Sequence, residues 1–168
     1  MIEPAFLLVD PEQARREAVR LFDAVSTSLT SMLPPTADIR HIGAIAVPGC
    51  LTKGDLDIVV RIPVEAFTEV DAMLASRFSR NEGSIRTMTF SAFEDASSHP
   101  HLGIQLAVID GPSDFFHLFV EALCQSPQLV AEYNALKIRF EGAEMATYRA
   151  AKDEFVERVL AERLGRAS

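Results

Sequence analysis

Cysteine is nearly absent: Cys50 and Cys124 are the only two, with no CxxC pair and no metal-type spacing around them, which argues against a disulfide framework or a zinc cage. Both sit beside apolar residues and read as reduced core thiols. No apolar run approaches the ~18 residues that span a bilayer. The start Met1-Ile2-Glu3-Pro4 also lacks the basic residues of a secretory signal. The expectation is a cytoplasmic protein with no membrane partner. Basic charge is scarce too, 16 Lys and Arg against 24 Asp and Glu for a net charge of -8. Such a surface repels nucleic-acid phosphates, so extended nucleic-acid binding is not expected. Repeats, low-complexity tracts and linkers are missing as well. What remains is 168 residues, 48% hydrophobic and 24% charged, enough for one domain over residues 1–168 with a core of its own.

Local chemistry punctuates the chain. Asp10-Pro11-Glu12-Gln13 combines an N-cap acid with proline at the first helical position, and Ala14, Ala18, Leu21, Phe22, Val25, Leu29 and Met32 follow at helical steps until Pro34-Pro35. Ile39, Ile42 and Ile45 are β-branched and predict a strand over 39–44. Residues 55–62, Asp-Leu-Asp-Ile-Val-Val-Arg-Ile, predict a central strand, ended by Pro63, which opens a helix through Phe78. Alternation from Ile85 to Ala92 predicts a further strand, with residues 102–109 as its hairpin partner across a polar loop. Three helices are expected over 113–124, 127–140 and 145–164, with a frayed tail at 165–168. The class is α+β: a mixed sheet of about four strands, an N-terminal helix and C-terminal helices packed against it.

One segment concentrates chemistry. In a strand, residues two apart share a face, so Asp55 and Asp57 project together while Leu56 and Ile58 enter the core. At an effective dielectric near 20, carboxylates about 4 Å apart repel by about 4 kcal/mol, so the pair wants a cation, a proton or separation. Oxygen-only ligation with retained waters suits Mg²⁺, which phosphoryl chemistry uses to clamp oxygens. Gly43, ahead of the pair, lets backbone N–H groups approach a polyphosphate. The plainer reading is two solvated acids with Lys53 neutralising Asp55.

Strand, glycine turn, connector and acidic strand together resemble the nucleotidyltransferase fold of the DNA polymerase beta superfamily. His41-Ile42-Gly43, Val47-Pro48-Gly49, Lys53 and Asp57 resemble the GrpB branch more closely, and Pro127, Tyr133, Lys137, Tyr148 and Lys152 match its C-terminal pattern. The likeness covers most of residues 38–160. It implies nucleotide and Mg²⁺ binding; Asp55 makes the acidic pair fuller than the usual GrpB sequence, and Asp55 and Asp57 are the expected metal-holding and catalytic acids. The implied nucleotide contacts are His41, Gly43, Ala44, Lys53, Tyr133, Lys137, Tyr148 and Lys152. By spacing alone, the two tyrosine-lysine pairs are helical neighbours of the sort that cover a surface.

The departures are specific. Ala44 and Ile45 stand where the family has Ser-Thr, and Val120 and Cys124 where it has arginines, which removes phosphate partners. The family's His-x-His has no clean counterpart, although His99 and His101 precede the later strand. A histidine-based zinc site there lacks an identifiable third ligand. Gln105 holds the outward position where the wider superfamily often carries a third acid, and Glu94 and Asp95 are further acids without a positional argument. The expected function is Mg²⁺-dependent transfer of a nucleotidyl group from a nucleoside triphosphate to a small-molecule or protein acceptor. The alternatives are a catalytically degenerate nucleotide- or metabolite-binding module, and a structural or interaction protein.

Overall fold

The structure, a computed structural model, describes residues 3–166. Helix α1 (Pro11–Met32) starts where the sequence sets it, with the Asp10 carboxylate accepting from the Glu12 and Gln13 amides. Strands β1 (Asp38–Ile42) and β2 (Leu56–Ile62) follow, joined by a 3-10 turn over Ala44–Ala46. Then come α2 (Phe67–Ala75), β3 (Ser79–Arg80), β4 (Phe90–Asp95), β5 (Leu102–Val108), α3 (Phe116–Gln125), α4 (Pro127–Phe140) and α5 (Met145–Arg166). The sheet order is β1-β2-β5-β4-β3. Only β2 and β5 run parallel; the other pairs are antiparallel.

The two faces of the sheet bury different layers. Leu56, Ile58, Val60 and Ile62 of β2, with Leu102, Ile104 and Leu106 of β5, pack under α1 and α2 as the main core. The opposite face carries Ile42, Val59, Phe90, Ala92 and Ala107 against Phe116 and Val120 of α3. Tyr133, Phe155 and Val159 of α4 and α5 pack with Leu123, Val47 and Cys50, which ties the C-terminal helices to the β1–β2 connection. Phe6 of the N-terminal arm is buried with Met145 and Tyr148.

Five expectations are corrected. The sheet has five strands rather than about four, because the two-residue β3 is held at the edge: Arg80 makes a forked pair with the buried Asp71, at 3.0 and 2.7 Å. The strand expected over 85–92 begins only at Phe90, since Ile85 and Met88 are 66% and 89% exposed and have no layer to pack on. Helix α3 starts at Phe116, later than expected, because Asp114 bends back to receive both Arg61 and the Asp110 amide. Cys124 is exposed on α3, so only Cys50 is a core thiol. The expected fraying is not seen at Gly165 and Arg166, which continue α5; Ala167 and Ser168 lie outside the described residues.

Candidate functional site

The candidate site lies where the end of β1 meets the starts of β2 and β5. Register places Ile42, Asp57, Gly103 and Glu94 in one row across four strands, on the face away from α1. Gly43 turns the chain out of β1 with φ 79°, in the left-handed region that glycine tolerates. A Cβ built on Gly43 would lie 2.8 Å from Asp57 Oδ2, and one on Gly103 would lie 2.7 Å from Asp57 Oδ1. The Asp57 carboxylate is therefore gripped between two glycines, and any side chain at either would displace it.

That carboxylate accepts no hydrogen bond among the described residues. Part of the residue stays accessible, but the carboxylate sits deep enough that burial dominates its titration. Burial lifts its pKa above the usual carboxylate value, Asp55 adds to the rise, and Lys152, Lys53 and His101 oppose it. The ionisable neighbours that the fold gathers around Asp57 are thus Lys152, Asp55, Lys53 and His101. Asp55, one residue before β2, meets Lys53 Nζ at 2.7 Å, the neutralising pair anticipated above. Lys152 on α5 makes no hydrogen bond or ion pair among the described residues.

Other expected contacts lie elsewhere. His41 alternates to the α1 face, where its ring stacks on Phe22 at 5.2 Å, and burial with Arg15 nearby holds its pKa below the usual histidine value. Lys137 is 2% exposed, lies over the Tyr133 ring at 4.1 Å and donates to the Leu51 carbonyl and to Cys50 Sγ. Burial pulls its pKa down to about 8. Tyr133 stacks on Phe155 and Tyr148 on Phe6, with centroids 5.1 and 3.7 Å apart. Burial raises the Tyr148 phenol to about 12 and lifts Tyr133 well above the usual value, with the Tyr148 hydroxyl nearby adding to the latter. Both rings are buried against other aromatic rings of the fold instead of offering a stacking face. Ala44 packs toward the C-terminal helices and Ile45 is buried in the main core.

Gly103 and Asn134 escaped the sequence reading, and His101, weighed there only as a loop histidine, lies beside the acidic pair. Gly103 faces Asp57 only through the parallel β2–β5 register. His101 precedes β5 and reaches Asp55 and Glu94. Asn134 clamps the loop leading to Asp55, accepting from the Leu51 amide at 2.8 Å and donating to the Gly49 carbonyl at 2.9 Å. Its position three residues before Lys137, on the same helical face, was the available signal. Gln105 does face the cleft side of the sheet, two residues after Gly103.

Among the described residues no three His, Cys, Asp or Glu side chains converge as a ready metal cage. The donor set instead fits a hard divalent cation shared with ligand oxygens: two carboxylates, one of them unpartnered, beside a glycine cradle. Two concavities of about 480 and 750 Å³ open on the outer surface of α3, α4 and α5, and neither is lined by Asp55 or Asp57.

The family model described as GrpB protein matches residues 10–162. A UPF0157 protein of Vibrio cholerae is 31% identical over 158 residues, spanning 94% of this chain and 82% of that one. The crystal structure of conserved protein GrpB from Enterococcus faecalis matches at TM-score 0.70 and 18% identity, over 89% of this chain and 94% of that one. A structure of the Cid1 poly(U) polymerase described as Mg 3'-dATP bound matches at TM-score 0.54 and 13% identity, over 77% of this chain and 41% of the polymerase. At such identities the structural likenesses establish a nucleotidyltransferase-like fold, and they establish the fold alone.

Proposed function

The chain belongs to the GrpB family, and from that footing we propose that its cleft binds a nucleoside triphosphate or related phosphorylated small molecule with Mg²⁺ and transfers the nucleotidyl group to a small-molecule or protein acceptor. The observation that supports this reading is the Asp57 carboxylate, unpartnered and fixed between Gly43 and Gly103 in a nucleotidyltransferase-like fold. Asp55 and Asp57 would hold the cation. Bound there, Mg²⁺ would offset the charge of the phosphates and of the developing transition state.

The protein's own groups do the rest. Backbone amides at Gly43 and Ala44 would meet phosphate oxygens, a role left to the main chain once the family's Ser-Thr hydroxyls are replaced. Lys152, a cation with no ion-pair partner among the described residues, would balance charge on the leaving pyrophosphate. Lys53 would leave Asp55 for the ligand, at small cost because a partly exposed ion pair is worth only about 0–1 kcal/mol. Lys137 would act at one remove, by holding the Cys50–Leu51 backbone through its buried contacts. An acceptor hydroxyl would attack the α-phosphorus in line as the α–β bridging bond breaks, pyrophosphate departs and the hydroxyl proton passes to water.

A second reading, a binding module without turnover, is favoured by the Lys53–Asp55 pair at 2.7 Å and by neutral Gln105 on the cleft side of the sheet. Calorimetry with ATP, GTP, CTP and UTP, with and without Mg²⁺, coupled to a pyrophosphate assay, separates the two. Mg²⁺-dependent binding with pyrophosphate release supports transfer, and binding alone supports the module. Failure of every nucleotide to bind, or binding undiminished in the Asp55→Asn, Asp57→Asn double variant, overturns the proposal.

A further inference from the structure

Cys50 and Lys137 meet at a buried contact that the proposed function does not use for chemistry. The two residues are 1% and 2% exposed, and Lys137 Nζ lies 3.5 Å from Cys50 Sγ. Two sets of contacts hold them together. Asn134, one helical turn before Lys137, fastens the main chain on both sides of Cys50, at the Leu51 amide and the Gly49 carbonyl. The Lys137 ammonium donates to the Leu51 carbonyl and rests on the Tyr133 ring. Pro48 and Gly49, immediately before the cysteine, are exposed. The thiol therefore lies just beneath a surface turn, in a cluster separate from the main core.

The pair is chemically matched. Burial lowers the Lys137 pKa to about 8, so about one amine in ten is neutral at pH 7, against about one in three thousand at the ordinary lysine value. Burial also raises the Cys50 thiol, while the charge and hydrogen bond of Lys137 oppose that rise. An isolated buried thiol is inert; an adjacent ammonium favours the reactive thiolate. Hydrogen peroxide, small and uncharged, takes such a sulfur to a sulfenic acid, which a nearby nitrogen can attack.

We propose that Cys50 and Lys137 are a modification site, joined by a reversible sulfur–nitrogen bond when the protein meets a peroxide. First, the sulfur attacks one peroxide oxygen and the O–O bond breaks, giving Cys50–SOH and water; sulfur loses two electrons and the peroxide gains them. Then the lone pair of the neutral Nζ forms the S–N bond as the S–O bond breaks, and the hydroxyl leaves as water with one amine proton. Two equivalents of a thiol reductant restore both side chains and become a disulfide. The bond ties the loop that carries Lys53 and Asp55 to α4. It forms whatever the candidate site binds.

The test treats the full chain with hydrogen peroxide in a Cys124→Ser background, because a disulfide to the exposed Cys124 would have the same mass. The oxidised chain should be lighter than the reduced one by about 2 Da, the two hydrogens lost in forming the bond. After unfolding it should resist thiol alkylation until dithiothreitol is added. Tandem mass spectrometry of the digest should find the peptides holding Cys50 and Lys137 joined, with neither residue substituted. The urea-unfolded chain should give roughly tenfold less of the link or lower, since contact in the fold supplies the effective concentration. Lys137→Arg keeps a positive charge and removes the amine, and should leave Cys50 oxidised without a link. Cys50 that stays alkylatable throughout overturns the inference. So does Cys50 that accumulates as sulfinic acid without a bond to Lys137, an equal yield from folded and unfolded chains, or, in the chain with Cys124, a disulfide that forms in place of the link.

Discussion

Replacing Gly103 by alanine tests the grip on Asp57 directly. Gly103 lies within a strand, where alanine is favoured over glycine by about 0.5–1 kcal/mol. Against that gain, the new Cβ would sit 2.7 Å from Asp57 Oδ1, closer than real contacts allow. Overpacking of this kind costs about 1–3 kcal/mol. The net expectation is a loss of up to about 2.5 kcal/mol, the difference between these terms. In an Asp57→Ala background the offending oxygen is gone and the nearest remaining atom is Gln105 Nε2 at 3.7 Å, an ordinary contact. There the same Gly103→Ala change should stabilise by about 0.5–1 kcal/mol. The sign therefore reverses between backgrounds, with a coupling of about 1–3 kcal/mol equal to the steric term. Urea midpoints of the four proteins at pH 7, with chelator present, measure it by far-ultraviolet circular dichroism. A Gly103→Ala effect of the same sign and size in both backgrounds would refute the placement of the carboxylate between the two glycines.

Other outcomes follow from the same geometry. Asn134→Ala leaves the Leu51 amide and Gly49 carbonyl without their side-chain partner and should cost about 1–3 kcal/mol in urea unfolding; an unchanged midpoint refutes the clamp. Lys137 titrates at about 8 in the folded protein against 10.5 ordinarily, so its burial costs about 3 kcal/mol below pH 8 and the cost disappears as pH rises to about 10.5. Wild type should accordingly gain on Lys137→Met between pH 8 and 10.5, and a constant gap over that range contradicts the buried placement. Asp71→Ala removes the forked pair with Arg80 and the Ser91 hydrogen bond and should cost about 2–3 kcal/mol at pH 7, with β3 amides losing hydrogen-exchange protection. The Arg80 hydrogen bonds hold the Asp71 pKa below the usual value, so that stability is present above the ordinary carboxylate range and lost as pH falls through the lowered value; an Asp71→Ala deficit that persists undiminished in acid speaks against it.

Where a boundary is written in local chemistry, it was legible. Asp10-Pro11 and Ser126-Pro127 start α1 and α4 at the residues expected, because capping and the fixed proline φ act within one turn. The alternation over 85–92 misled because periodicity reports a potential face and not the presence of a layer to cover it. Met88 lies in a bend in which the Thr87 amide donates to the Phe90 carbonyl, and Ile85 lies in irregular chain before it. Edge strand β3 was invisible for the opposite reason: nothing in Ser79-Arg80 is strand-like, and its place depends on Asp71, an acid on a separate helix. The arm packing Phe6 onto Tyr148 likewise joins two ends of the chain that no local rule relates.

The site divides along the same line. Asp57 and Gly43 could be found because strand period and glycine turn both act over a few residues. Gly103 and His101 arrive through a parallel pairing whose crossover no spacing specifies. The two tyrosine-lysine pairs show the limit most clearly, since an identical four-residue spacing yields two different lysines. Lys137 turns inward to the carbonyl of Leu51, while Lys152 keeps its ammonium unpaired among the described residues and its charge directed at Asp57. Helical period fixes that a tyrosine and a lysine share a face; only the packing of α4 and α5 against the loop before β2 decides which face is the interior. That packing leaves Lys152 as the cation directed at Asp57 and makes Lys137 a support of the loop before β2. Loss of the first should therefore appear in ligand binding with the fold intact, and loss of the second in stability first.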